Sequence, residues 1–386
     1  MTAPLIIVGS GMAGLGLARQ VRARDTARPI VLITADSGDD YAKPLLSTGF
    51  AKGLPPARLA TRSALEAADQ LGVVMRTHTR VEGIDREARE LHIGDERLPW
   101  SELVLATGAA PAVPFKIPDT VAGRAFTIND LDDYRRFHAA LEALGRRARV
   151  AIVGAGLVGC EFANDLIAGG HEITLVAPES APLPRLLPEP LGRALGEAFV
   201  EAGMTLALGR SLEALESVGS AIGIMLSGGS RLEADLVLVA TGLRPRVELA
   251  AAAGLETGAA GILVNRRLET SAPGIYALGD VACVDGVNAM YVQPLQASAK
   301  ALAQTLTGEP SEVAYGAWPI LVKTSLLPVV AMPPTRSPAR WRIEGEGRDL
   351  AAFAETQDER LIGFALTGSC VRRKVELARA TPPLLG

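Results

Sequence analysis

One pattern occurs twice in this chain, and it narrows the choice of folds more than any other feature. Residues Leu5–Asp36 run as strand, Gly9-Ser-Gly11-Met12-Ala13-Gly14, helix, strand and acid. Residues Val150–Glu179 repeat that order around Gly154-Ala-Gly156-Leu-Val-Gly159. Each unit is followed by an apolar strand closing on Thr-Gly, Leu103-Val-Leu-Ala106-Thr107-Gly108 in the first and Leu236-Val-Leu-Val-Ala-Thr241-Gly242 in the second. In such a turn the first glycine makes the bend, the second admits a pyrophosphate to the backbone, and the third lets helix and strand pack closely. The helix N-terminus then presents unpaired N–H groups to phosphate oxygens. A single G-x-G-x-x-G is weak evidence. Two copies, each after a strand and before a helix, point to two dinucleotide cradles, the second inserted into the first.

The rest of the pattern agrees. Leu5–Val8, Ile30–Thr34, Leu103–Ala106, Val150–Val153, Ile173–Val176 and Leu236–Ala240 are short apolar runs that read as buried parallel strands. Leu15–Arg24 and Val158–Ala168 carry helical spacing between them. Pro111, Pro114 and Pro118 punctuate the exit from the first unit, and Arg244-Pro245-Arg246 the return. The expected fold is α/β, two nested Rossmann-like dinucleotide-binding domains plus a small α+β C-terminal domain. The boundaries expected are 1–117 and 243–316 for the first domain, 118–242 for the second and 317–386 for the third. In the last segment Trp318–Val330, Trp341–Glu344 and Leu361–Leu366 read as strands, with a Pro-rich loop at Pro328–Pro338.

Composition mostly excludes. A formal charge of −4 leaves no protein-wide basic field for nucleic acid. Cys160, Cys283 and Cys370 are too scattered for a disulfide framework or zinc cage, and the four His have no metal-site spacing, so no metal is expected. The Met-Thr-Ala-Pro start has no charged n-region, and no run of about 18 apolar residues occurs, so a cytoplasmic protein off the membrane is expected. The basic residues are 33 Arg against 6 Lys, which makes each lysine easy to inspect.

The acids that would bind ribose hydroxyls stand close to their usual place. Asp36 lies 22 residues beyond Gly14, and Glu179 lies 20 beyond Gly159, near the ordinary spacing of ~20. Each follows the strand end by one or two residues, so a solvated loop carboxylate is the competing reading. No Arg directly follows the second strand to welcome a 2′-phosphate, which favours NADH over NADPH, with Arg185 as the contrary residue. Gly274-Ile-Tyr-Ala-Leu-Gly279-Asp280 delivers a carboxylate at a strand end after a glycine, suited to accepting polyol hydroxyls.

With these residues in view the whole chain resembles the two-dinucleotide-domain flavoprotein reductases of the pyridine nucleotide-disulfide oxidoreductase superfamily. The resemblance implies FAD and NADH as cofactors. It places FAD against Gly9, Gly11, Met12, Ala13, Gly14, Asp36, Lys43, Pro44, Val81, Ala106, Thr107, Gly108, Gly279, Asp280, Gln293 and Lys323. It places NADH against Gly154, Gly156, Gly159 and Glu179. Branches that relay through a thiol carry a Cys near Thr48, which this chain lacks. Electrons would therefore leave the flavin for an external one-electron carrier. Ser47-Thr48-Gly49-Phe50, Gly159-Cys160-Glu161-Phe162-Ala-Asn164-Asp165-Leu166, Ala314-Tyr315-Gly316 and Val322-Lys323-Thr324 resemble the NADH–rubredoxin reductase family. Rubredoxin or a similar small carrier is the implied partner. A ferredoxin-type reductase, or a non-catalytic FAD/NAD-binding regulatory protein, are the alternatives.

Three side chains are expected to act at the reaction centre. Lys43, extended before a proline, and Glu161, two residues past Gly159, are expected to bracket flavin and nicotinamide as a charge pair. Lys323 is expected near the flavin pyrimidine. Residues 318–386 hold ten basic and seven acidic residues, a local bias suited to steering an acidic carrier. The short third domain points to a monomer.

Overall fold

The computed structural model describes residues 3–386. Leu5–Val8, buried along its whole length, is the central strand of a five-stranded parallel sheet. Ile30–Ile33 and Glu102–Leu105 flank it, with Val74–Arg76 outside the former and Ile275–Ala277 outside the latter. The second sheet has the same plan. Arg149–Val153 is central, between Glu172–Ala177 and Leu236–Val239, with Thr205–Leu208 and Ala125–Phe126 at the edges. Uninterrupted apolar runs suit strands covered on both faces, and both sheets are parallel throughout. The first sheet takes its last strand from beyond the second sheet in sequence, so the second unit is an insertion.

The two crossings between the units are tied together. Ala109–Pro111 going out pairs antiparallel with Leu243–Pro245 coming back. The Arg246 N–H donates to the Gly108 carbonyl at 3.0 Å, and the Thr107 hydroxyl to the Arg246 carbonyl at 3.2 Å. The Thr-Gly ends of both strands thus sit at one junction.

The C-terminal segment is a five-stranded antiparallel sheet in the order Ile320–Val322, Val329–Met332, Leu361–Thr367, Asp349–Glu355, Arg340–Glu346. The short helix Lys374–Ala380 follows it. Two expectations fail here. Trp318–Val330 is not one strand, because the Thr324 hydroxyl donates to the Leu327 carbonyl at 2.7 Å and turns the chain back on itself. Val329–Met332 is a buried strand, where a Pro-rich loop was expected. The inner face of this sheet (Val329, Ala331, Ala352, Ala365) joins one core with Val150, Leu166 and Phe199 of the second unit. Each large side chain buried there contributes about 1.5–3 kcal/mol, so the sheet is seated on the second unit. Among the described residues no helix is long and apolar enough to cross a membrane.

Candidate functional site

The cradle glycines divide into two kinds. Gly9 has φ of +112°, and a Cβ there would lie 2.2 Å from the Ala106 carbonyl oxygen; on Gly14 it would lie 1.8 Å from the Gly9 oxygen. Packing of the protein against itself requires both. At Gly11 a Cβ would meet nothing within 4 Å. The second cradle repeats this: a Cβ on Gly154 would stand 2.4 Å from the Ala240 oxygen and on Gly159 1.9 Å from the Gly154 oxygen, while Gly156 faces open space. Gly11 and Gly156 are also the N-caps of helices Met12–Arg22 and Leu157–Ala168, with no side-chain cap and no acid in the first turn. Bare backbone beside uncapped N–H groups, where the fold itself has no steric need of it, fits a pyrophosphate at each cradle.

The residues expected around the first cradle converge on it. A Cβ on Gly279 would be 2.8 Å from that of Ala13, so the Gly279-Asp280 turn lies directly against the start of the first cradle helix. The Asp280 carboxylate accepts no hydrogen bond from any described residue, and burial raises its pKa, with Lys43 opposing. Lys43 donates to Asn129 Oδ1 at 2.8 Å, and burial lowers its pKa, with Asp280 opposing. These two opposite charges influence each other without forming an ion pair. A carboxylate without donors, within electrostatic reach of an ammonium, fits a polyol chain with a polar ring beyond it. Met12 and Gln293 line a cavity of about 800 Å³ with Tyr41 and Trp318. Ala106 and Val81 are buried in the first core, and Pro44 lies in the 3₁₀ turn Lys43–Thr48.

The ribose acids differ. Asp36 Oδ1 accepts from the Thr34 hydroxyl at 2.6 Å and the Gly38 N–H at 3.0 Å, with Ser10 of the glycine turn at 3.4 Å. This seats the carboxylate beside the cradle and leaves its second oxygen free. Glu179 is exposed, and its side chain bonds to no described residue.

At the second cradle helix Glu161 has partners of its own. Glu161 is 4% exposed, and no hydrogen bond or ion pair joins it to Lys43. Its Oε2 accepts from the Ser47 hydroxyl at 2.8 Å and from the Lys323 ammonium, and its Oε1 accepts from the Lys323 backbone N–H at 3.1 Å. Lys43 and Ser47 lie at opposite ends of the same short turn, and only the Ser47 end faces the helix. Lys323 is directed at Glu161, so its ammonium belongs to an ion pair.

Sequence reasoning missed the seam that continues from Glu161. Asp165 accepts backbone N–H groups from Phe50 at 3.2 Å and Ala51 at 2.8 Å; burial raises its pKa against these bonds. Asn164 accepts from the Leu326 N–H at 3.1 Å and donates to Ser325 Oγ at 3.2 Å. One helix face, through Glu161, Asn164 and Asp165, therefore holds the 47–51 loop on one side and 323–326 on the other. The local signal was there: three polar residues on a helix whose other residues are almost all apolar.

Two dinucleotide cradles whose strands meet at one junction, with a half-buried ion pair beside the second, define a two-dinucleotide oxidoreductase. Residues 3–305 match the pyridine nucleotide-disulphide oxidoreductase family, and residues 312–381 the rubredoxin binding C-terminal domain. The chain is 44% identical over 384 residues to the rubredoxin-NAD(+) reductase of Alcanivorax borkumensis, covering 99% of both. It is 37% identical over 390 residues to that of Acinetobacter baylyi, covering 99% of this chain and 98% of the relative. The solved ferredoxin reductase for the CYP199A2 system from Rhodopseudomonas palustris superposes with a TM-score of 0.87 at 26% identity, covering 99% of this chain and 96% of that one. This chain belongs to the NADH–rubredoxin reductase family of the pyridine nucleotide-disulphide oxidoreductases.

Proposed function

We propose that the protein is a FAD-dependent reductase that takes electrons from NADH and passes them to rubredoxin. The observation that carries this reading is the union, in one chain, of two cradles that each leave a glycine facing open space and a rubredoxin binding C-terminal domain. FAD, when bound, supplies the conversion between two-electron nicotinamide chemistry and one-electron carrier chemistry.

The chain's own residues bind, orient and balance charge. Gly9, Gly11 and Gly14 with the N–H groups of the first cradle helix hold the FAD pyrophosphate; Asp36 takes its ribose and Asp280 its ribityl hydroxyls. Met12, Ala13, Pro44, Val81, Ala106, Thr107, Gly108 and Gln293 complete the walls. Lys43 puts a positive charge opposite Asp280. Gly154, Gly156 and Gly159 hold the NADH pyrophosphate, with Glu179 reaching its ribose. Glu161, fixed by Ser47 and Lys323, places an oriented charge pair where the nicotinamide would arrive, its carboxylate buried and its ammonium partly solvated. No thiol takes part: the Thr48 hydroxyl donates to the Leu45 carbonyl at 3.0 Å, and burial raises the pKa of the buried Cys160. The segments 1–117 with 243–316, 118–242 and 317–386 serve as FAD, NADH and carrier domains of a cytoplasmic monomer.

Anaerobic addition of NADH to the flavin-loaded protein should bleach its visible absorbance. A flavin that stays oxidised removes the enzyme reading in favour of a non-catalytic binding protein. Rates with purified rubredoxin and ferredoxin then decide the acceptor, since the structural likeness to a ferredoxin reductase makes ferredoxin the competitor.

A further inference from the structure

Ion pairs neutralise half of the ten basic residues of the C-terminal segment, and Arg336, Arg360, Arg372, Arg379 and Lys374 form no salt bridge with any described residue. Arg340 and Arg342 share Glu355 and reach Glu359 and Glu344; Arg348 is bonded to Glu201 and Arg373 to Glu344. Two unpaired ammonium groups, Lys52 and Lys374, stand together at one place. A cavity of about 400 Å³ opens between the 47–52 loop, the second cradle helix and the C-terminal sheet, and Lys52, Lys323 and Lys374 line it. These are half of the lysines in the chain. Glu161 holds Lys323, but Lys52 and Lys374 bond to no described residue. Leu321 on the cavity wall is 54% exposed; Leu326 and Val375, next in the chain to wall residues Ser325 and Lys374, are 38% and 55% exposed.

Exposed aliphatic side chains beside free cations are the chemistry of a docking face: apolar surface supplies the contact, and rim charge sets partner choice and encounter rate. The wall residues Ser47 and Lys323 also hold Glu161, so a protein seated here lies next to the charge pair of the nicotinamide site. We infer that this face receives the electron carrier, a small acidic protein. Its apolar patch covers Leu321, Leu326 and Val375, and its carboxylates meet Lys52 and Lys374. The inference rests on the rubredoxin reading and adds where, and by which side chains, the carrier is held.

The test uses the full flavin-loaded chain with NADH and two acceptors, a purified acidic rubredoxin and a small neutral quinone. Lys52→Glu/Lys374→Glu should lower kcat/KM for rubredoxin by roughly tenfold or more and flatten its dependence on salt, with quinone turnover unchanged. Val375→Asp should weaken rubredoxin turnover at high salt as well, because it removes apolar contact. Unchanged rubredoxin kinetics in the lysine variant overturns the inference, and so does an equal loss with both acceptors. A wild-type enzyme that reduces the quinone but not rubredoxin instead overturns the acceptor reading, which keeps the two failures apart.

Discussion

Replacing Lys323 by Met asks how far one carboxylate joins the three parts of the molecule. The Glu161 side chain is 5% exposed and that of Lys323 32%. Removing one partner of a buried pair costs about 3–5 kcal/mol, because the other charge is left without compensation. Here the loss should be smaller, for two reasons. The ammonium is partly solvated, and Glu161 keeps the Ser47 hydroxyl and the backbone N–H of residue 323. A cost of about 2–3 kcal/mol follows. The second variant, Glu161→Gln/Lys323→Met, removes both charges and keeps an acceptor for Ser47, so it should recover about 1–2 kcal/mol of that loss. Urea denaturation followed by tryptophan fluorescence is the assay, since Trp318 and Trp341 lie in the C-terminal region. A Lys323→Met protein that unfolds at the wild-type urea concentration would refute the reasoning. So would a double variant less stable than Lys323→Met. Because the ammonium is already neutralised by Glu161, the accompanying change in flavin midpoint potential should be small.

Gly11→Ala should leave the apoprotein's stability within about 0.5 kcal/mol of wild type while abolishing FAD retention, since its Cβ meets only the space a ligand would fill. Gly14→Ala should fail to fold normally even without cofactor, as its Cβ falls 1.8 Å from a backbone oxygen; circular dichroism of both apoproteins separates the cases. Burial raises the pKa of Asp280, so the folded apoprotein binds a proton that the unfolded chain releases near pH ~3.9. Stability is lost as pH rises through that window, and the Asp280→Asn apoprotein should match wild type below it, exceed it above, and bind no FAD. Asp235 behaves oppositely. Burial alone would raise its pKa, but bonds from Arg146 and Arg149 prevail and hold the carboxyl well below the usual range. The stability it contributes is present above pH ~3.9 and lost as pH falls. Denaturation against pH should therefore show the gap between wild type and Asp235→Asn closing in acid.

What was legible in the sequence was local. The cradle strands, their glycines and the helices after them are read from contiguous runs, and Leu5–Val8 forms as expected to the residue. The nesting was legible because the pattern repeats. The partner of Glu161 was not, because Lys323 stands 162 residues away and no periodicity links a helix to a distant hairpin. Asp349–Glu355 was missed for a different reason. Its Ala-Ala-Phe-Ala centre has weak strand propensity, and its place between two neighbours in the sheet decides its conformation. The Thr324–Leu327 turn likewise depends on one hydroxyl inside an apolar stretch. Lys43 and Asp280 were each singled out, but their electrostatic coupling needed the fold.

The most direct test of the account is an anaerobic titration of purified rubredoxin with NADH in the presence of catalytic flavin-loaded protein. Electron counting predicts about two rubredoxins bleached per NADH consumed, at a rate well above that with ferredoxin. NADH oxidation with an artificial acceptor but no bleaching of rubredoxin would contradict the central claim.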